Sequence, residues 1–214
     1  MDHEKILEAA FADPHNTPIV IPPADVNKII KTSYTVDEPF TYTRTQLWDM
    51  ERRKAHDPET FLGGVARPGS VQVFDVQRDG DVETFVRVSD QRRWAAPTEY
   101  STVIEQVRLD HATQRAFFIG VDAVDAPDGR RIVRGTEQPR FHVEHSCAGP
   151  ETAPLNIWRM VLLDGDEDGA VRAALQGMAE SPYLRAFNEV YIREVLGRKL
   201  VRKEAEGAGG KDAE

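Results

Sequence analysis

Between residues 70 and 163 the apolar side chains recur at every second position through about six consecutive segments, and after residue 180 the period changes to that of a helix. In the last stretch Leu184, Phe187, Tyr191 and Val195 fall on one stripe, widened by Tyr183, Val190 and Leu200. Strands that alternate in this way have one apolar face to bury, and an amphipathic helix that follows them is the element able to cover it. The pattern predicts an α+β fold: an antiparallel sheet curved around a long C-terminal helix over 181–203, with a cavity between them. Ser181 suits the cap of that helix and Pro182 its first turn.

The strands are expected at about 70–77, 82–90, 101–110, 115–124, 131–146 and 154–163. Arg78-Asp79-Gly80-Asp81 and the stretch from Asp125 to Gly129 mark hairpin turns. Pro139 should bulge or divide its segment. Ahead of the strands, Phe40-Thr41-Tyr42-Thr43 predicts a further strand. Thr43 and Gln46 have capping-box spacing before a helix, and Asp57-Pro58 stops that helix and opens a short second one. Residues 1–36 carry two short helix patterns, at 3–12 and 24–31, separated by Pro14, Pro18, Pro22 and Pro23, which should break the chain. They read as an N-terminal extension to a core over 37–203, serving as a lid, a dimer arm or a cover over a sheet edge. A homodimer is thus one expectation. Residues 204–214 are expected to be a disordered tail.

A net charge of -9 with no basic block argues against nucleic acid and against an anionic membrane surface as partners. No apolar run reaches the length of a membrane span, and no signal peptide is evident at the start. One cysteine, Cys147, allows no internal disulfide and fits a reducing cytoplasm; its expected place is the core, near a strand end.

A strand, two helices, about six antiparallel strands and a long helix, in that order, resemble the helix-grip fold of the START-like superfamily, the polyketide cyclase or SRPBCC group. Thr43-Arg44-Thr45-Gln46-Leu47-Trp48, Arg53-Lys54-Ala55, Asp57-Pro58-Glu59-Thr60-Phe61-Leu62 and Val73-Phe74-Asp75-Val76 are similar to the opening of AtaL-type proteins. The resemblance covers about 40–165. Two features depart from it: the first 36 residues, and an insertion at 164–180 that reads as an extra helix through Val171, Leu175 and Met178. The resemblance implies a hydrophobic or polyketide-like ligand between sheet and helix. It also implies cyclisation, dehydration or isomerisation without a cofactor in natural-product metabolism. The alternative is a non-catalytic carrier or sensor of such a ligand.

Alternation assigns the inner face. Val103, Glu105, Val107 and Leu109 share one side of their strand; Phe141, Val143, His145 and Cys147 share another; Asn156, Trp158, Met160 and Leu162 a third. Phe117, Ile119 and Val121 make the better inner face of 115–121, and Val82, Thr84, Val86 and Val88 that of 82–88. The interior is then apolar apart from Glu105, His145 and Asn156, with Tyr183 or Tyr191 added from the helix. Greasy walls with a few fixed polar groups describe a small-molecule pocket. Glu105 and His145 are the acid–base candidates, with a raised carboxyl pKa and a shared proton. A bulge would instead put Glu105 in water, and an inner His145 could simply be bonded in the core. Val103, Phe117, Phe141, Asn156, Trp158, Tyr183, Phe187 and Tyr191, with Trp94 and Tyr100 from the 91–100 loop, are the candidate ligand contacts.

His142, Glu144 and His145 have poor spacing for one metal, since His145 points away from the other two, so no metal is expected. Asp164-Gly165-Asp166-Glu167-Asp168-Gly169 copies half of a calcium loop, but Leu175 stands where its bidentate Glu belongs. Arg52-Arg53-Lys54, Arg92-Arg93 and Arg130-Arg131 read as solvated surface.

Overall fold

Each alternating segment does become a strand. The computed structural model describes residues 1–163 and 169–204. In chain order the elements are α1 (His3–Ala12), β1 (Thr17–Asp25), α2 (Val26–Ser33), β2 (Tyr34–Val36), α3 (Arg44–His56), α4 (Pro58–Phe61), β3 (Gln72–Asp79), β4 (Val82–Arg92), β5 (Tyr100–Asp110) and β6 (Arg115–Gly120). The short hairpin β7 (Ala123–Asp125) and β8 (Arg131–Val133) follows, then β9 (Phe141–Ala148), β10 (Leu155–Leu162), α5 (Ala170–Glu180), α6 (Ala186–Val190) and β11 (Leu200–Arg202). One antiparallel sheet of seven strands runs β1-β10-β9-β6-β5-β4-β3. This is an α+β architecture compatible with a helix-grip fold. No helix among the described residues is long and apolar enough to cross a membrane.

The Pro-rich stretch at 17–25 is a strand, not a break. Pro lacks the ladder donor but is tolerated at a sheet edge, and β1 lies at the edge beside β10, bulged between Ile21 and Ala24. The N-terminal residues therefore cover one sheet edge and one sheet face. α1 packs on the outer face, where Leu7 and Ala10 meet Phe117, Ile119 and Val161. Burying Leu7 completely there contributes about 2 kcal/mol.

The predicted strand at 40–43 stays irregular because its hydrogen bonds go elsewhere. Tyr42 N donates to Asn27 Oδ1 at 2.9 Å, and Asn27 Nδ2 donates to Tyr42 O at 2.8 Å. Thr43 and Gln46 form the expected capping box on α3, Asp57 caps α4, and the segment holding Pro139 divides into β8 and β9.

The long C-terminal helix is not formed. α5 ends at Glu180, before that segment, and is the extra helix expected through Val171 and Leu175. α6 continues into a π-helical turn over Tyr191–Val195, and Gly197, at a φ of +63°, ends it in a left-handed conformation that side chains resist. Leu200, Val201 and Arg202 then pair with β2 as β11 instead of extending the helix. The calcium-like run at 164–168 and the tail at 205–214 lie outside the described residues.

Candidate ligand cavity and its buried ions

The capping box fixes the phase of α3, and that phase turns Leu47, Met50, Glu51 and Lys54 into the interior. Glu51 and Lys54 stand four and seven residues after Leu47, on the apolar stripe. Both are buried, at 0% and 2% exposure, so the reading of Lys54 as solvated surface is corrected. They form an ion pair. Asn156 Nδ2 of β10 donates to Glu51 Oε1 at 3.0 Å, and Nδ1 of His145 on β9 lies 3.3 Å from Glu51 Oε2. Lys54 Nζ is 2.8 Å from His145 Nδ1 and sits over the Phe187 ring, 4.1 Å from its centre.

An ammonium has no lone pair, so Nδ1 is the acceptor in the shorter contact, and the imidazole proton belongs on Nε2. Nε2 has no protein partner among the described residues. Burial alone would raise the Glu51 carboxyl, but Lys54 and His145 overrule it and hold the carboxyl well below the usual range. Burial lowers Lys54, against the pull of Glu51; burial and the neighbouring ammonium lower His145 and keep the ring neutral.

A second buried pair stands beside the first. On β4, Phe85, Arg87, Ser89 and Gln91 face inward, not the Val82, Thr84, Val86 and Val88 set. Arg87 is paired in register with Glu105 of β5, and Nε and Nη2 reach Glu105 Oε2 at 2.9 and 2.6 Å. Arg87 Nη1 donates to Ala55 O at 3.0 Å, closing the C-terminal end of α3, and the guanidinium lies over the Phe118 ring.

These ions form the polar end of a cavity of about 430 Å³ between the sheet, α3, α4, α5 and α6. Its walls include Phe61, Phe118, Phe141, Val143, Met160 and Phe187, with Trp94 and Trp158. Lys54, Arg87, Glu105 and His145 line it, and Arg92, Arg93 and Arg185 add further cations to the lining.

Of the residues singled out from sequence, Glu105, His145, Phe141, Trp158, Phe187 and Trp94 line this cavity. Glu105 and His145 do not share a proton: each bonds to a cation of its own, Arg87 and Lys54. Asn156 stands behind the wall, holding Glu51. Val103 is buried in the same core without lining the cavity. Phe117 is on the opposite face, under α1, and Phe118 takes its expected place. The three tyrosines are also elsewhere. Tyr183 OH donates to Lys203 O at 2.6 Å, and Tyr191 OH donates to Asp49 Oδ2 at 2.9 Å. Tyr100 carries Arg67 and Arg92 on its ring. Cys147 is buried, and burial pushes its thiol up, as for a core residue. Among the described residues no group of His, Cys, Asp and Glu is arranged to hold a metal ion. Glu51, Lys54 and Arg87 were missed from sequence; the helical stripe through Leu47 is the signal that marks the first two.

No protein-family model matches the chain, and no curated protein sequence matches it. Several solved structures do. An 18 kDa protein from Caulobacter crescentus is 14% identical at a TM-score of 0.50, over 86% of this chain and 99% of that one. Dicamba monooxygenase bound to 3,6-dichlorosalicylic acid is 9% identical at a TM-score of 0.52, over 92% of this chain and 56% of that one. The Zhui aromatase/cyclase from Streptomyces sp. R1128 is 10% identical at a TM-score of 0.42, over 83% of this chain and 93% of that one. At such identities the first two establish a shared fold, and the third stands as a likeness only.

Proposed function

We propose that this protein encloses a largely apolar small molecule bearing a carbonyl or hydroxyl oxygen, and promotes its cyclisation, dehydration or isomerisation by moving protons. The observation that carries the reading is the Glu51–Lys54–His145 array at the end of an apolar cavity. Charges in such a setting cost several kcal/mol to bury, and an inert core would be served as well by apolar residues. The walls hold a flexible ligand near its reactive shape, which is the larger share of such catalysis. Nε2 of His145, the proton-bearing nitrogen of a neutral ring, donates to the ligand oxygen as negative charge develops there. Lys54 holds that ring in the donating tautomer. Natural-product metabolism, with a polyketide-like ligand, is the setting we favour.

The test is native mass spectrometry of the protein from its own host, with extraction of any bound compound. A compound that the wild type converts, and that His145→Ala binds without converting, supports the proposal. Unchanged turnover in His145→Ala overturns it. A second reading, a carrier without chemistry, is favoured by one observation: the cavity's Lys54 is neutralised by Glu51 behind it, and its Arg87 by Glu105. In that case extraction yields a ligand that the protein never alters.

A further inference from the structure

We propose that Lys54 is a covalent site, whose Nζ condenses with the carbonyl carbon of an apolar aldehyde or ketone held in the cavity to give an iminium. The inference rests on the cavity reading above and names the ligand's reacting group. Lys54 is the lysine that lines the cavity; the other described lysines, Lys5, Lys28, Lys31, Lys199 and Lys203, are exposed. An ion pair with Glu51 alone would not require an amine, since Arg keeps its charge and pairs a carboxylate better. An amine differs in being able to lose its proton and attack carbon, and desolvation favours the neutral, nucleophilic form.

The neighbours suit each part of the step. His145 Nδ1, 2.8 Å from Nζ, is placed to accept the first proton from the ammonium. The freed lone pair forms the C–N bond as the carbonyl π pair moves to oxygen, and Nε2 of the charged ring then protonates that oxygen. The C–O bond breaks next, and the oxygen leaves as water with a second Nζ proton, which Glu51 relays. The third proton stays on the iminium nitrogen. Charge is conserved, and no oxidant or reductant is consumed. The Phe187 ring under Nζ and the walls of Phe118, Phe141 and Trp158 keep the iminium from bulk water, which would otherwise reverse the reaction. Glu51, ionised again once the relay is complete, replaces the lost hydration of the cation.

The experiment uses the full chain with naphthaldehyde as probe and cyanoborohydride to trap an iminium as a secondary amine, followed by peptide mapping. Naphthylmethanol, which cannot condense, is titrated in parallel against the fluorescence of Trp94 and Trp158. The expected result is one adduct at Lys54, formed on the order of ten-fold faster than at surface lysines, as a desolvated amine would give. Lys54→Arg, checked for folding by its melting curve, should lose this adduct and keep only slow surface labelling. Surface labelling with Lys54 unmodified, while naphthylmethanol still quenches the two tryptophans, overturns the proposal and leaves the cavity reading standing. Failure of both probes to enter overturns both.

Discussion

Arg87 and Glu105 face each other across β4 and β5, two buried charges sharing one carboxylate oxygen, and the same guanidinium bonds the carbonyl of Ala55 at the end of α3. One side chain thus joins the sheet to the helix that carries Glu51 and Lys54. Removing either partner leaves the other charge buried and unpaired, at a cost of about 3–5 kcal/mol. Arg87→Met should cost more than Glu105→Gln, because it also frees the helix carbonyl. The double variant Arg87→Met, Glu105→Leu should recover much of the loss. Denaturant midpoints check this; no recovery in the double variant would mean that the two charges do not act as a pair.

Phe117 and Phe118 are neighbours with opposite duties. Each is buried, at 1% and 3% exposure, so truncation to Ala should destabilise both variants by about 3–5 kcal/mol. Only Phe118 borders the cavity. Ligand affinity should therefore fall in Phe118→Ala and hold in Phe117→Ala, measured by tryptophan quenching at a temperature where both are folded. An equal loss of affinity would place the ligand elsewhere.

That pair also shows where the sequence was legible. β9 and β10 alternate cleanly, because their charges lie on one face, and His145, Phe141 and Trp158 could be assigned from period alone. β6 is covered on both faces, by α1 and by the cavity core, so alternation vanishes and Phe117 and Phe118 look equivalent. Glu51, Lys54 and Arg87 were hidden by residue type, since an isolated charge normally marks solvent. Their partners make burial tolerable: Glu51 and Lys54 pair locally within α3, but His145 of β9, Asn156 of β10 and, for Arg87, Glu105 of β5 come from other elements that the sequence pattern does not bring together. The C-terminal helix failed for a related reason. Its apolar stripe runs on through Leu200, but Gly197 and the pairing of β11 with β2, far away in sequence, decide the backbone.

Stability should fall in two stages on acidification. Burial holds His142 and His145 below the ordinary imidazole range and His3 down to about 4. Below a pH of about 6.5 the unfolded chain binds protons that the folded one refuses, so stability drops as pH falls from there toward about 4. Glu51 works at lower pH: its depressed carboxyl contributes stability above the unfolded value, lost as pH falls through the folded one. Denaturant midpoints measured from about pH 7.5 down to about pH 4.5, a window that spans the ordinary imidazole range, should decline in the wild type. The decline should be shallower in His3→Gln; an unchanged slope there would remove His3 from the account.

The last prediction concerns how the cavity is closed. α6 carries Phe187 over the ligand space but is five residues long, too short to hold its own shape. Its position depends on a clip. Tyr34 OH of β2 donates to Glu189 Oε1 at 2.5 Å and accepts from Leu184 N at 2.8 Å, while Arg202 of β11 reaches both oxygens of Glu189 at 2.7 and 3.0 Å. Glu189→Ala strands the buried Tyr34 hydroxyl donor and releases Arg202, at about 1–3 kcal/mol. None of these groups lines the cavity, so the ligand's own contacts are untouched. Loosening α6 should then raise the dissociation rate of naphthylmethanol in stopped-flow fluorescence more than it alters the association rate. A dissociation rate equal to wild type would show that α6 holds its place through core packing, with Phe187 and Leu184 sufficient to close the cavity without the clip.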